Sequence, residues 1–243
     1  MKVEDAIFYY KEHRPIFKNI SFELKPGEIL SIMGSNGAGK TTLIKCIANI
    51  LKLNRGTIDL NGAKLSYVPQ GKKLNLAYNV LDFVSFGRTG LNPYFASPKP
   101  KDYEMSFETL KRLNISKLSE KNINEVSGGE LQMCFFAKAL VSEPDILILD
   151  EPESNLDFKN QKRIIELIKE LAQDGTIVIL NTHFLNYASN ISNKCLLMGD
   201  GEHEYGEVSK VLSEDNLNRY FQVDIKKTSV KIKDRIYENY III

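Results

Sequence analysis

The chain has 243 residues, of which 43% are hydrophobic and 26% charged, a composition that is usual for a globular protein with a substantial core. Its formal net charge of +1 gives no argument for nucleic acid as a partner, and local basic clusters such as Lys226-Lys227 are interpreted as solvated surface. No stretch approaches about 18 uncharged apolar residues, and the first residues lack an apolar signal core, so neither a membrane span nor a leader is expected. Cys46, Cys134 and Cys195 are far apart in apolar surroundings, which predicts reduced core residues.

The first fifty residues favour strands followed by one helix. Residues 6–24 mix β-branched and aromatic side chains, and a turn at Lys25-Pro26-Gly27 separates them from a second strand-like run at 29–33. We interpret these runs as a hairpin that leads into a glycine-rich loop. Residues 40–51 carry apolar side chains at helical spacing, which predicts a helix directly after that loop.

The pattern then changes from strands to helices. Short strands are predicted at 57–60 and 65–68, joined by a turn at Asn61-Gly62. From about residue 79 to residue 141 the apolar side chains recur at helical spacing. An irregular segment that is rich in proline interrupts this region near residues 89–100. We therefore expect a separate helical subdomain here.

The last hundred residues return to strands. Continuous apolar runs at 146–149 and 177–180 predict fully buried strands of a parallel sheet. A crossover helix between them is predicted by an apolar stripe. The stripe consists of Ile164, Leu167, Ile168 and Leu171. Residues 223–243 alternate β-branched and charged side chains, which predicts small strands.

The most specific motif is a complete G-x-x-x-x-G-K-[ST] phosphate loop between a predicted strand and a predicted helix. Its glycines let the backbone approach phosphate oxygens where a Cβ atom would collide. The lysine places a positive charge there, and the threonine hydroxyl that follows can bind Mg²⁺. A glycine-rich turn could match by chance, but the correct flanking elements argue against this. The candidate ATP-binding residues are Gly34, Ser35, Asn36, Gly37, Ala38, Gly39, Lys40, Thr41 and Thr42.

Two acidic residues, Asp150 and Glu151, follow the apolar run at 146–149. A carboxylate at the carboxyl end of a buried strand, beside a phosphate loop, can bind Mg²⁺ directly or through water, and we assign this role to Asp150. Glu151 is then placed to polarise the attacking water as a general base. Acidic residues also commonly occur where a strand meets solvent, so this pair alone would be weak evidence for a nucleotide site. The phosphate loop and the Ser127-Gly128-Gly129 segment make it strong evidence.

A second glycine-rich site opens a predicted helix and consists of Ser127, Gly128, Gly129 and Glu130. A serine N-cap with a glutamate three residues later is also an ordinary capping box. The two glycines between them cost about 1 kcal/mol each relative to alanine in a helix, which indicates that bare backbone is needed there. An incoming phosphate would explain that need, because helix N-termini bind anions through backbone N–H groups.

These motifs, in this order and over most of the chain, resemble the ATP-binding cassette (ABC) ATPases. The resemblance implies an α/β fold: a P-loop NTPase core with a parallel sheet, an antiparallel β subdomain and an inserted helical subdomain. It implies a single ATPase domain over residues 1–243. Residues 1–75 and 144–243 would form the nucleotide-binding core with the β subdomain, and residues from about 76 to 143 the helical subdomain with the signature motif.

The resemblance also gives roles to residues whose own signals are weak. Gln70 would reach Mg²⁺ and the attacking water, and His183 would contact the γ-phosphate and hold Glu151 in position. Ser154-Asn155-Leu156-Asp157 matches a loop that crosses the interface between two subunits, with Asp157 as the main marker, and Tyr10 is placed to stack on adenine. Without the resemblance, a lone glutamine is more often a surface residue, a lone histidine structural, and a strand tyrosine part of the core.

Five positions depart from the usual family pattern. Val126 stands where leucine is usual, and Leu131 replaces a common basic residue. Glu130 replaces glutamine, an acidic substitution that occurs in the relatives that this chain resembles. Glu153 stands where a small residue is usual, and Phe184 where an acidic residue usually follows the histidine.

In this family two subunits face head to tail, and the signature site of one caps the ATP that the other holds. The segment Phe86-Gly87-Arg88-Thr89 and residues 206–223 resemble ATPase subunits of importers for iron-siderophore, haem and vitamin B12. The resemblance therefore implies a homodimer that hydrolyses ATP with Mg²⁺ on the cytoplasmic face of the cell membrane. Its further partners would be integral membrane permease subunits and, through them, an external solute-binding protein.

Two other functions remain open. One is a soluble ABC ATPase that resembles the iron–sulfur cluster assembly factors and serves no membrane subunit. The other is a nucleotide-responsive regulatory subunit that does not hydrolyse ATP. The presence of both Glu151 and His183 argues against the second alternative. The solute is not encoded in any recognisable pattern.

Overall fold

The computed structural model describes residues 1–10, 14–70, 76–91, 97–154 and 156–243. These residues form two compact units, one made of Met1–Ala63 with Ile168–Ile243 and the other of Lys64–Leu167. Parallel strands, antiparallel strands and intervening helices confirm the predicted α/β fold. No helix in the described ranges combines the length and the apolar character that a bilayer crossing needs.

The elements are named here in chain order. The strands are β1 (Lys2–Phe8), β2 (Phe17–Glu23), β3 (Ile29–Gly34), β4 (Arg55–Asp59), β5 (Leu65–Val68), β6 (Ile146–Asp150), β7 (Ile177–Asn181), β8 (Lys194–Met198), β9 (His203–Glu207), β10 (Ile225–Ile232) and β11 (Arg235–Ile242). The helices are α1 (Lys40–Ile47), α2 (Val80–Ser85), α3 (Pro100–Arg112), α4 (Gly128–Leu140), α5 (Phe158–Gln173), α6 (Leu185–Ile191), α7 (Val208–Val211) and α8 (Glu214–Phe221). Short 3₁₀ helices cover Phe86–Leu91 and Ser116–Leu118.

The first unit contains an antiparallel sheet and a largely parallel one. In the antiparallel sheet, β1 lies between β2 and β4. In the other, β3 lies between β7 and β8 and runs parallel to both, while β9 is antiparallel to β8. β10 and β11 form a separate hairpin, which confirms the strands predicted at the C-terminal end.

The predicted hairpin leading into the glycine-rich loop is wrong, because β2 and β3 belong to different sheets. β2 mixes buried and exposed positions, whereas every residue of β3 is buried, as expected for a central parallel strand. The turn between β2 and β3 is hydrogen-bonded to the segment just before β7, because the Gly27 N–H donates to the Gly175 carbonyl at 3.1 Å. The turn at Asn61-Gly62 is present, but the strands on either side of it belong to different sheets, in which β4 pairs with β1 and β5 pairs with β6.

A buried cluster joins β8 to the C-terminal segment of the first unit. It consists of Met33, Ala188, Cys195, Leu197, Val211, Leu212, Leu217, Tyr220, Ile225 and Tyr240. Asn186 of α6 links this helix to β11, because its Oδ1 accepts a hydrogen bond from the Tyr240 N–H at 2.9 Å. The three cysteines are buried and unbridged, as predicted, and burial raises the pKa of the Cys46 thiol to about 11.

The second unit combines a parallel strand pair with helices. β5 and β6 run parallel, with Val68 opposite Leu149, so both strands end at the same edge. The helical region predicted from residue 79 to 141 is confirmed by α2, α3 and α4, which pack on one another. All four residues of the apolar stripe predicted for α5 are buried; Ile164 and Leu167 belong to this unit, and Ile168 and Leu171 to the first.

The segment that resembles importer ATPases, Phe86-Gly87-Arg88-Thr89, has structural contacts within the second unit. A Cβ atom on Gly87 would lie 2.1 Å from the carbonyl oxygen of Lys138, so the 3₁₀ helix packs closely on α4. Arg88 Nε donates to Asp102 Oδ1 at 3.2 Å, and its NH1 group donates to the Val141 carbonyl at 3.1 Å. This segment therefore fastens the 3₁₀ helix to both α3 and α4.

Candidate nucleotide site

The phosphate loop leaves the end of β3 through a close backbone contact. Gly34 has a φ of 139°, and a Cβ atom there would lie 1.9 Å from the carbonyl oxygen of Met198 on β8. Gly39, the N-cap of α1, has a φ of 93°, and a Cβ atom there would lie 2.6 Å from Ile16 Cγ2. Only glycine satisfies both constraints. They bring the loop to the N-terminus of α1, the helix end at which anions are stabilised.

Lys40 begins α1 and is 6% exposed. Its ammonium group donates to the carbonyls of Gly34 at 2.8 Å and Ser35 at 2.9 Å. The positive charge is therefore held over the loop, where phosphate oxygens would bind, and not extended into solvent. Thr41 is exposed on the first turn of α1. The strand–loop–helix context predicted for these residues is confirmed.

His183 lies at the same sheet edge as the phosphate loop, since β7 is parallel to β3 and pairs Asn181 with Ile32. The buried Thr182 shapes the turn: its N–H donates to the Ile32 carbonyl at 3.3 Å, and its Oγ1 accepts from the Phe184 N–H at 3.1 Å. His183 and Phe184 are both exposed beyond this turn. The predicted strand-end position of His183 is thus present, and its contact with phosphate stays a prediction.

Tyr10 follows β1 and is 65% exposed. Its ring makes a T-shaped contact with the buried Phe8, with 4.9 Å between ring centroids and 83° between planes. Phe8 in turn stacks on Phe17. This cluster supports the tyrosine from one side and leaves much of the ring open to solvent, a geometry that permits stacking on a base. The role of Tyr10 in adenine binding stays a prediction.

In the second unit, the predicted Mg²⁺ ligand ends β6. Asp150 is 6% exposed, and its Oδ2 accepts a hydrogen bond from the Tyr67 hydroxyl at 3.0 Å. Burial, with the nearby Asp150 charge, raises the pKa of Tyr67 well above its usual range, so the phenol stays protonated as a donor. No role was assigned to Tyr67 from the sequence. Its position on β5, three residues before Gln70 and on the strand next to the one that ends in Asp150, was the signal that could have indicated one.

Glu151 is held by two donors of the same unit. Its Oε2 accepts from Gln70 Nε2 at 2.7 Å and from Ser154 Oγ at 3.2 Å. Its backbone is in the left-handed region, with a φ of 50°, which is uncommon for a residue with a long side chain. Strain of this kind clusters at functional sites and costs on the order of 1–3 kcal/mol. The structure therefore brings Gln70, Glu151 and Ser154 together, while the catalytic roles of Gln70 and Glu151 stay predictions.

The predicted signature site opens α4 as a capping box. The Ser127 hydroxyl accepts from the Glu130 N–H at 3.3 Å, and Glu130 Oε2 accepts from the Ser127 N–H at 2.9 Å. Ser127 and Gly128 are exposed. Neither Gly128 nor Gly129 has a positive φ, so the backbone conformation itself does not require glycine at these two positions.

Asp157 lies just before α5, where its Oδ1 accepts from the Asn160 N–H at 2.8 Å. It therefore caps this helix, a role that the sequence analysis did not consider. Asn155, in the same motif, lies outside the described residues. The proposed role of Asp157 at an interface between subunits stays a prediction.

The comparisons with known proteins agree with this set of motifs. The family model described as "ABC transporter" matches residues 17–154, which is more than half of the chain. The molybdate import ATP-binding protein MolC of Haemophilus influenzae is 33% identical over 242 residues, covering 99% of this chain and 95% of its own. An uncharacterised ABC transporter ATP-binding protein of Methanocaldococcus jannaschii is 39% identical over 237 residues, covering 92% of each chain.

A solved structure supports the same conclusion. It contains a chain of an ABC transporter assigned to the metal-chelate type, in an inward-facing conformation. That chain is 33% identical, superposes with a TM-score of 0.92, and the match covers 100% of this chain and 96% of that one. With the phosphate loop, the strand-end acids and the signature helix in the predicted places, this chain belongs to the ABC transporter family and is one of its ATP-binding, ATP-hydrolysing domains.

Proposed function

We propose that this chain works as one half of an ATP-driven homodimer that powers import of a metal-chelate solute through separate membrane permease subunits. The observation that carries the proposal is the phosphate loop with its buried lysine, in a chain that resembles a metal-chelate transporter subunit over its whole length. The chain would act on the inner face of the membrane, since it would have to meet cytoplasmic ATP and a permease together. An external solute-binding protein would deliver the solute to that permease.

The two units would act as a single ATPase domain over residues 1–243. The phosphate loop, Tyr10 and His183 would bind the adenine and the phosphates of ATP. Gln70, Asp150 and Glu151 would supply the polar groups for hydrolysis. This assignment follows the order of motifs in the family, and the hydrogen bonds within each unit support it.

The residues assigned to Mg²⁺ are Thr41, Asp150 and Gln70. All three offer oxygen ligands, the kind that this cation prefers, and Mg²⁺ in ATPases is usually held by one or two carboxylates together with substrate phosphates. The buried and hydrogen-bonded carboxylate of Asp150 fits this role. When bound, the ion would neutralise part of the negative charge on the phosphate groups.

Hydrolysis would begin with a water molecule held by Glu151. The Glu151 carboxylate would accept the proton of that water as it attacks the γ-phosphorus in line, and the bond to the β–γ bridging oxygen would break. Gln70 and Ser154 keep this carboxylate oriented through bonds of 2.7 and 3.2 Å. The Lys40 ammonium would stabilise the charge that develops on the phosphate oxygens. His183 would hold the γ-phosphate at the end of β7.

Dimer closure would complete the site. Ser127 and Gly128 are exposed at the N-terminus of α4, and the two glycines bring bare backbone to this end of the helix. An incoming γ-phosphate held by a second copy would satisfy both features. Loss of that phosphate after hydrolysis removes the shared ligand, so the dimer can reopen, and this alternation would drive the permease.

A second candidate solute is a metal oxyanion. The relative from H. influenzae is named for molybdate import, and it is 33% identical over nearly the entire chain. The metal-chelate structure has the same identity and also matches the fold closely. We favour the chelate because the segments around residues 86–89 and 206–223 resemble importers of that type. Since the permease and the binding protein choose the solute, their identification will decide between the two.

The experiment that tests the proposal is a capture from gently solubilised membranes of the source cells. Tagged Glu151→Gln protein with Mg-ATP is expected to stall as a closed dimer and to retain its partners, which mass spectrometry would identify. Glu104→Gln, an exposed residue on α3, serves as the matched control that still cycles. We expect a polytopic membrane subunit with Glu151→Gln and less of it with the control.

Other outcomes would contradict specific parts of the proposal. Capture of soluble proteins alone, with phosphate release intact in the unmodified chain, would favour the iron–sulfur assembly type of ATPase. Absence of phosphate release from the unmodified chain and its membrane subunit would favour a nucleotide-responsive regulatory subunit. A Glu151→Gln protein that stays monomeric at saturating Mg-ATP in light scattering would count against dimer closure.

A further inference from the structure

Tyr67 contacts the buried carboxylate at the end of the neighbouring strand. It lies opposite Ile148 in the parallel β5–β6 pair, and Ile148 and Asp150 share a face of β6 because side chains alternate along a strand. Asp150 is thus the diagonal neighbour of Tyr67, a separation that a long aromatic side chain can span. The phenol hydroxyl donates to Asp150 Oδ2 at 3.0 Å, and only 6% of Asp150 is exposed.

We propose that Tyr67 is a positioning residue that orients the Asp150 carboxylate for Mg²⁺ and thereby sets the affinity of the nucleotide complex for the metal. The inference rests on the proposed role of Asp150 as a Mg²⁺ ligand. Mg²⁺ tolerates little departure from octahedral geometry, so the rotation of a ligating carboxylate matters. Groups that hydrogen-bond to metal ligands fix their orientation, and their loss typically costs about 10–100-fold in metal affinity or activity.

The attachment of β5 does not depend on the Tyr67 hydroxyl alone. The backbone ladder with β6 runs from Leu65 to Val68. Ser66, whose side chain points to the other face of β5, also bonds to Ser142 through their hydroxyl groups at 2.7 Å. Removal of the phenol oxygen should therefore leave the strand in place and free only the rotation of the carboxylate.

The test compares Tyr67→Phe with Ser66→Ala, which removes a hydroxyl hydrogen bond from the same strand without touching Asp150. Equilibrium binding of an ATP analogue with a fluorescent label on its ribose would be measured in EDTA and then as Mg²⁺ is added. Mn²⁺ binding in the presence of ATP, followed by electron paramagnetic resonance, gives a second readout that does not depend on turnover.

For Tyr67→Phe we expect nucleotide binding in EDTA within about twofold of the unmodified chain, since the hydroxyl is proposed to act only through the metal ligand Asp150. The Mg²⁺ concentration for half-maximal response should rise about 10–100-fold, with a matching loss of Mn²⁺ affinity. Ser66→Ala should behave like the unmodified chain. A Tyr67→Phe protein with an unchanged metal response, or a Ser66→Ala protein with the same shift, would overturn the inference.

Asp150→Asn separates this inference from the proposed function. If Asp150→Asn loses the metal response and Tyr67→Phe keeps it, only the positioning role of Tyr67 fails. If Asp150→Asn also keeps the response, Asp150 is not a metal ligand and the assignment of the site fails together with the inference.

Discussion

Two helices of this protein begin at glycine-rich segments that look alike in sequence and differ in structure. The segment before α1 is tied to its own unit: Gly34 lies against the β8 backbone, and Lys40 is 6% exposed and bonded to loop carbonyls. The segment that opens α4 is capped by its own Ser127 and Glu130 and leaves Gly128 exposed.

The difference shows that a glycine can be required by the backbone conformation of the fold or, alternatively, by the close approach of a ligand. Gly34 has a positive φ and no room for a Cβ atom, so the folded backbone needs it whether or not a nucleotide is bound. Gly128 has an ordinary helical backbone that other residues could adopt. We therefore expect substitution of Gly34 to destabilise the fold and to alter turnover, and substitution of Gly128 to alter turnover without destabilising the fold.

Lys40→Ala should have the largest effect. It removes the charge that is held at the phosphate loop, and we expect ATP hydrolysis to fall by about 100-fold or more with weaker nucleotide binding. Lys45→Ala, in the last turn of the same helix, is the matched control and should keep most of the rate. Phosphate release measures both, and near-normal release from Lys40→Ala would refute the role of this lysine.

Gly34→Ala and Gly128→Ala test the comparison directly by urea unfolding. Gly34→Ala should lower the free energy of unfolding by about 2–4 kcal/mol, because the new Cβ atom clashes with Met198 and the backbone is strained. Gly128→Ala should leave it unchanged or raise it by up to about 1 kcal/mol, since alanine favours helix. Equal losses from both substitutions would show that the two glycines serve the same purpose.

Gly128→Asp should leave ATP binding to a single subunit within about twofold of the unmodified chain. It places a negative charge where the partner's γ-phosphate is proposed to arrive, and such like-charge contacts cost several kcal/mol, so closure and ATP hydrolysis should be lost. Gly128→Ala is the neutral control. Equilibrium nucleotide binding and light scattering would measure the two steps. Loss of ATP binding by the isolated subunit would place this segment in its own nucleotide site instead.

Glu130→Gln should cause the smallest change, a loss of unfolding free energy whose size depends on pH. The backbone N–H of Ser127 lowers the pKa of Glu130, so its charged form stabilises the fold above the ordinary glutamate pKa of about 4.3. This stabilisation is lost as the pH falls through the lowered pKa of the folded state. The difference in unfolding free energy between the two proteins should thus be below about 1 kcal/mol at pH 7 and smaller still near pH 3. A difference that grows towards low pH would contradict this reasoning.

The features that could be predicted from the sequence are those whose signal lies within a single segment of the chain. The phosphate loop, the strand before Asp150 and the buried stripe of α5 each follow from spacing or composition within one segment. Strand pairing was harder, because β2 and β3 are adjacent in the chain and join different sheets. Every residue of β3 is buried, whereas β2 mixes buried and exposed residues. This difference in burial is what separates a central parallel strand from a strand of the antiparallel sheet.

The contacts that orient the site could not be predicted in this way. Tyr67 is an ordinary residue in the sequence, and the motif that contains Ser154 predicts only a loop at the subunit interface. Both residues contact the acidic pair because β5 and the turn after β6 bring them there. Gly87 and Arg88 were interpreted as a mark of solute type, whereas the structure gives them packing and ion-pair roles in the second unit. Long-range pairing decides such roles, and motif spacing does not encode it.

The left-handed backbone of Glu151 has a consequence for engineering. Glycine or asparagine adopts a φ near 50° with less strain than glutamate, so either substitution would relieve a backbone strain on the order of 1–3 kcal/mol while removing the proposed base. Glycine would also lose the hydrogen bonds from Gln70 and Ser154, which offsets part of that gain. Any substitution here that favours stability therefore acts on the residue that the proposed hydrolysis needs.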